Sequence, residues 1–131
     1  MTAAAQIHHW QTLTVRDADL MMTWLTALGF VEHATYRDEH DPTTVVHAEW
    51  VWPGGAGLMF GSEREDSVGA PGVGAAACYL VTDDPDALFE AAVTAGATVV
   101  QEMLDQDYGG RGGTVRDPEG NGWSFGSYQP Q

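Results

Sequence analysis

His47 and Glu49 stand two residues apart in a run rich in Val and Trp, so on an extended strand their side chains share one face. An imidazole beside a carboxylate can move a proton or supply two ligands to a metal ion. Two ligands are too few for a tight metal site, and a hydrogen-bonded polar pair is the other reading. The segment Asp107-Tyr108-Gly-Gly-Arg111-Gly-Gly113 offers a phenol and a guanidinium among four glycines. Such a loop either brings Tyr108 and Arg111 to a ligand or is a mobile hairpin connection. It precedes a strand rather than opening a helix, so it is not a nucleotide fingerprint. Five Trp in 131 residues supply aromatic surface for binding. Trp50 and Trp52 share a strand face with Val46 and Ala48, and serve either a ligand cleft or the core. Trp24 reads as core. His8 and His9 read as surface residues near the start of the chain.

Composition removes several classes of chemistry. Nineteen acidic against five basic residues give a formal charge of -14, so phosphate backbones and anionic membranes should repel the chain. Neither nucleic acid nor membrane is expected as a partner. All five basic residues are Arg, and without Lys there is no Schiff-base or P-loop chemistry. Cys78 is alone, which rules out an intrachain disulfide or a cysteine zinc cluster. Met1-Thr-Ala-Ala-Ala-Gln lacks the basic start and apolar stretch of a signal peptide, so a cytoplasmic location is expected.

The elements that must position these residues come from an internal repeat. Leu13-Thr-Val-Arg-Asp17-Ala-Asp19 matches Leu80-Val-Thr-Asp-Asp84-Pro-Asp86 at an offset of 67, each followed ten residues on by Gly29 or Gly96. Gly57-Leu-Met-Phe-Gly-Ser62 matches Gly122-Trp-Ser-Phe-Gly-Ser127 at an offset of 65. In each half a strand leads to an Asp N-cap, Asp17 or Asp84. The helix that follows carries Leu20, Met21, Trp24, Leu25 and Leu28, or Leu88, Phe89, Ala92 and Ala95, at 3.6-residue spacing, ended by Gly29 or Gly96. Strands are expected at Val31–Arg37, Thr44–Trp52 and Gly57–Ser62, then at Thr98–Met103, Gly113–Arg116 and Gly122–Tyr128. Asp117-Pro-Glu-Gly-Asn121 reads as the last hairpin turn. The expectation is a single domain, 1–131, with module one at 7–62, a linker at 63–75 and module two at 76–128.

Two βαβββ modules, the second closing on Asp117-Pro-Glu-Gly-Asn-Gly-Trp-Ser-Phe125, resemble the vicinal oxygen chelate superfamily, which includes glyoxalase I, bleomycin-resistance proteins, fosfomycin-resistance enzymes and extradiol dioxygenases. Trp24-Leu-Thr-Ala-Leu-Gly-Phe30, His47-Ala-Glu49 and Asp107-Tyr-Gly-Gly-Arg111 look like its glyoxalase/bleomycin-resistance-like subgroup. The resemblance implies an α+β fold whose two modules form a curved mixed-sheet cleft, with helices on the convex side. Enzymes of the superfamily hold a divalent metal with His, Glu or Gln at four strand positions. Those positions fall here on Trp10, Met59, Ala76 or Ala77, and Ser124, none of which can replace a His–Glu set. No metal or other cofactor is therefore expected.

The resemblance then implies a metal-free binding protein of the bleomycin-resistance type, a homodimer that sequesters a small aromatic or cationic molecule. Trp10, Trp50, Trp52, Met59, Tyr108, Arg111 and Ser124 are its expected ligand contacts. The alternative is a glyoxalase-like lyase or isomerase with His47 and Glu49 as its catalytic pair.

Overall fold

Asp17 and Asp84 start the two helices as their sequence positions require. Each side chain accepts from a backbone N–H three residues on, Leu20 or Ala87. Gly29 and Gly96, at φ 96 and 122, end those helices in a conformation that suits glycine. The computed structural model describes residues 7–65 and 69–130, so the amino-terminal hexapeptide and part of the connector lie outside the described residues.

Strand, helix and three strands recur twice. Module one holds β1 (Trp10–Val15), α1 (Ala18–Ala27), β2 (Val31–Arg37), β3 (Val45–Trp52) and β4 (Ala56–Ser62). Module two holds β5 (Ala77–Val81), α2 (Pro85–Thr94), β6 (Thr98–Asp105), β7 (Arg111–Arg116) and β8 (Gly122–Gly126). The fold is α+β, built on two four-stranded mixed sheets ordered β1-β4-β3-β2 and β5-β8-β7-β6. In each sheet the first strand pairs parallel to the last, and the other pairs are antiparallel. Three expected boundaries shift by two residues, β6 running on to Asp105 rather than stopping at Met103. β7 starts at Arg111, which therefore belongs to a strand rather than to the glycine loop, and β8 stops at Gly126, two residues short of Tyr128.

One shared core fixes the modules against each other. Leu13 and Val15 of β1, Ala48 and Trp50 of β3, and Leu58 and Phe60 of β4 are buried with Met21, Trp24 and Leu25 of α1. Leu80, Phe89, Ala92, Val115, Trp123 and Phe125 extend the same cluster into module two. Leu20, expected on the buried face of α1, is exposed, and Met22 is buried instead. Trp24 donates its indole N–H to the Ala92 carbonyl at 3.0 Å and packs edge-on against Trp123, with ring centroids 5.2 Å apart. An edge-on aromatic pair contributes about 0.5–1.5 kcal/mol beyond its buried area, so this contact helps to join the halves.

The last hairpin is tied by a buried polar network. The Asp117 carboxylate accepts from the Asn121 side chain and from Trp123 Nε1, at 3.0 and 2.8 Å. The Asn121 side-chain Oδ1 accepts from Ala76 N–H at 3.1 Å, leading into β5. Each buried group has a partner, which keeps the turn from costing stability.

Candidate functional site

Burial of Leu13, Val15, Leu58 and Phe60 in the core turns the alternate residues of β1 and β4 to the other sheet face. Strand register then sets out a row of neighbours on that face. Thr12 pairs with Met59, Met59 with Glu49, and Glu49 with Ala34. The same row recurs in module two as Tyr79, Ser124, Thr114 and Gln101. These two rows face away from the core, each with a hollow of its own, and are the two walls taken as the candidate site.

Module one carries the ionisable wall. His47 Nε2 lies 2.9 Å from one Glu49 carboxylate oxygen, and His33 Nε2 lies 3.9 Å from the other. Tyr36 stacks on the His47 ring with centroids 6.3 Å apart. With its N–H on Nε2, the His47 imidazole donates to Glu49 and keeps Nδ1 as an acceptor. A hollow of about 240 Å³ beside His47 is bordered by Thr12, Thr14 and Met59, with Ala70 and Pro71 of the connector also lining it.

Module two carries a neutral wall. The Thr114 and Ser124 hydroxyls are 2.8 Å apart, and Tyr79 donates its O–H to the Tyr128 carbonyl at 2.7 Å. Burial, then the neighbouring Tyr108 and Tyr128, raises the Tyr79 phenol above its ordinary pKa. A hollow of about 220 Å³ lies against these residues.

The structure sorts the sequence-based site residues. Met59 and Ser124 lie in the middle of the two rows. Trp10 is on the same face as Thr12 but one step lower, paired with Gly57, where the missing Cβ leaves room for the indole. Ala77 is likewise one step below Tyr79, paired with Gly122. Trp50 and Trp52 are not brought to this face. Trp50 is buried in the core, and Trp52 donates to the Leu28 carbonyl at 3.1 Å and packs beside Phe30. Their faces follow from strand alternation: the polar His47 and Glu49 point out, so the apolar Ala48, Trp50 and Trp52 point in.

Arg111 borders the module-two hollow, but its guanidinium is held by Asp86 at 2.8 Å and Asp105 at 3.3 Å, which raises its pKa. Tyr108 is exposed and packs edge-on against Tyr128, at 5.2 Å. His9 borders a separate hollow of about 380 Å³ between the modules, beside Gln11, Cys78 and Tyr79. Sequence reading missed Thr12, Tyr79, Thr114 and Gln101. The first two were signalled by strand alternation, each standing one residue before the apolar Leu13 or Leu80 and so on the opposite face.

A divalent ion does not fit the central positions. Thr12, Met59, Tyr79 and Ser124 offer hydroxyls and a thioether, whereas such ions need several imidazole or carboxylate donors. Among the described residues, no group of three or more His, Cys, Asp or Glu is arranged to hold a metal.

Known proteins share this architecture. TioX from a Micromonospora species superposes with a TM-score of 0.70 at 28% identity, over 93% of this chain and 98% of that one. A glyoxalase/bleomycin resistance protein from Catenulispora acidiphila gives 0.64 at 21% identity, over 94% and 99%. The fosfomycin resistance protein FosX of Listeria monocytogenes, solved with manganese, gives 0.64 at 14% identity, over 91% and 90%. A 48-residue stretch is 50% identical to uncharacterized proteins of Mycobacterium bovis and Mycobacterium tuberculosis. That stretch covers 37% of this chain and only 32% and 28% of those relatives. With residues 6–125 matching its family model and the paired βαβββ modules in place, the chain belongs to the Glyoxalase/Bleomycin resistance protein/Dioxygenase superfamily.

Proposed function

We propose that this chain is a small-molecule binding protein of the bleomycin-resistance type, which sequesters an aromatic or cationic natural product and leaves it unaltered. One observation carries the reading: the central side chains of both walls are Thr12, Met59, Tyr79 and Ser124. These can hold a guest through hydroxyls, a thioether and a phenol ring, but cannot polarise it through a metal. Trp10, Tyr108 and Tyr128 add aromatic surface, and stacking or cation–π contacts contribute roughly 0.5–2 kcal/mol each. The charge of -14 favours encounter with a cation, and Glu49 supplies a carboxylate on the wall itself. Sequestration needs only protein in excess of ligand and a low dissociation constant. In this reading the protein acts in the cytoplasm as a homodimer.

Titration of Trp fluorescence with planar aromatic cations, followed by chromatography of the recovered compound, tests the proposal. Saturable quenching and an unchanged compound are expected. Stoichiometric metal in protein purified without chelator, or no quenching by any compound, sinks it. Among the described residues, no helix is long and apolar enough to cross a membrane.

The 2.9 Å contact between His47 and Glu49 favours one second reading. Glu49 would orient the imidazole so that Nδ1 takes a proton from a bound substrate, making the chain a glyoxalase-like lyase or isomerase. A changed compound in the same chromatography, abolished by His47→Gln, would select it.

A further inference from the structure

The two walls differ in charge at equivalent positions of the repeat, and that difference identifies part of the ligand. Glu49 of module one corresponds to Thr114 of module two, each paired to the central residue of its row, Met59 or Ser124. Where module one presents a carboxylate flanked by imidazoles, module two presents hydroxyls and a carboxamide. We propose that the module-two hollow is a subsite for an uncharged ring bearing several hydroxyls, such as the sugar of a glycosylated small molecule. The inference rests on the small-molecule binding role proposed above.

Four observations support this assignment. First, the hollow of about 220 Å³ is bordered by groups that both donate and accept: the Thr114 and Ser124 hydroxyls and the Gln101 and Gln106 carboxamides. A vicinal diol has the same dual character, so each of its hydroxyls finds a partner whichever way it turns. Second, the one charged residue at the border, Arg111, is already paired with Asp86 and Asp105. An anion brought here would lose water without gaining a free counter-charge, which is costly. Third, Tyr79 donates its O–H to the Tyr128 carbonyl, so its phenol oxygen is left as an acceptor at the border. Fourth, Tyr108 and Tyr128 meet edge-to-face at the border, giving an apolar ring surface for the C–H face of a sugar.

Glycines make the space. A Cβ on Gly126 would strike the Tyr79 hydroxyl, so glycine there lets the phenol lie against β8. Gly110, at φ 76, brings the loop backbone up to Tyr128, where a Cβ would come within 2.8 Å of its nitrogen.

Isothermal titration of the intact protein with three coumarins tests the subsite: 4-methylumbelliferyl β-D-glucoside, its aglycone capped as the methyl ether, and 4-methylumbelliferyl phosphate. The glucoside should bind about fivefold or more tightly than the ether, and the phosphate more weakly than either. Thr114→Val and Ser124→Ala should each shrink the ratio of glucoside to ether affinity, with circular dichroism confirming the fold. Equal affinity for glucoside and ether in the native protein overturns the subsite and leaves the binding role standing. So does binding of an N-methylacridinium cation without binding of any coumarin. If neither the coumarins nor the acridinium bind, the binding role falls and the subsite with it.

Discussion

The Glu119 carboxylate accepts the backbone N–H of Asp17, 102 residues earlier, at 2.8 Å, and its second oxygen takes the N–H of Arg16 at the same distance. A turn of module two thereby caps the start of α1 in module one, where orphan N–H groups and the positive end of the helix dipole favour an anion. Glu119→Ala should cost about 1–2 kcal/mol in urea unfolding at neutral pH, and Glu119→Gln less. Equal midpoints for Glu119→Ala and the native chain would show that the cap contributes nothing.

Two buried tryptophans should respond differently to the same substitution. Trp24 donates to Ala92 across the module boundary, whereas Trp50 Nε1 is buried and has no partner among the described residues. Trp24→Phe removes a buried hydrogen bond as well as volume, with an expected loss of about 2–3 kcal/mol. Trp50→Phe removes an unpaired donor, which offsets the lost packing, so its cost should stay under about 1 kcal/mol. Guanidinium denaturation of both variants measures the contrast, and comparable losses would refute it.

Cys78 should be silent at ordinary pH. Burial, and then the Asp117 carboxylate, pushes its thiol from 9.0 up to about 12. Because the folded value lies above the unfolded one, the protonated thiol adds stability fully present below about pH 8.5 and lost as pH climbs through the folded value. Iodoacetamide at pH 8 should therefore label Cys78 only when urea is added. Labelling of the native protein at the rate of a free thiol would contradict this.

The repeat, both caps and the closing hairpin were legible because each depends on local chemistry: an Asp before a helix, a Gly after it, a Pro-Glu-Gly turn. The walls were less so. Trp50 and Trp52 are as apt for a cleft as for a core by residue type, and only the opposite polarity of His47 and Glu49 shows which face turns inward. Trp10 and Ala77 were one step off because register depends on partners far along the chain: Trp10 on Gly57, Ala77 on Gly122. The engagement of Arg111 by Asp86 could not be read at all, since it joins β7 to the start of α2 across 25 residues.

That one-step difference can be tested by building the site the chain lacks. Thr12 and Met59 are cross-strand partners on one face, and Glu49 pairs with Met59 from the far side. Such neighbours have Cβ atoms about 4.5–5.5 Å apart, so Thr12→His with Met59→His would set two imidazoles and a carboxylate within reach of one ion. Two His and one Glu are a sufficient ligand set for zinc when water completes the tetrahedron. The double variant should therefore take up zinc far more tightly than the native chain in a calorimetric titration, with Glu49→Gln abolishing most of the gain. Trp10→His with Met59→His should gain much less, because Trp10 lies beside Gly57 rather than Met59. If instead the Trp10 pair captures zinc and the Thr12 pair does not, the level of the row is misassigned, and the hydroxyl and thioether centre of the site with it.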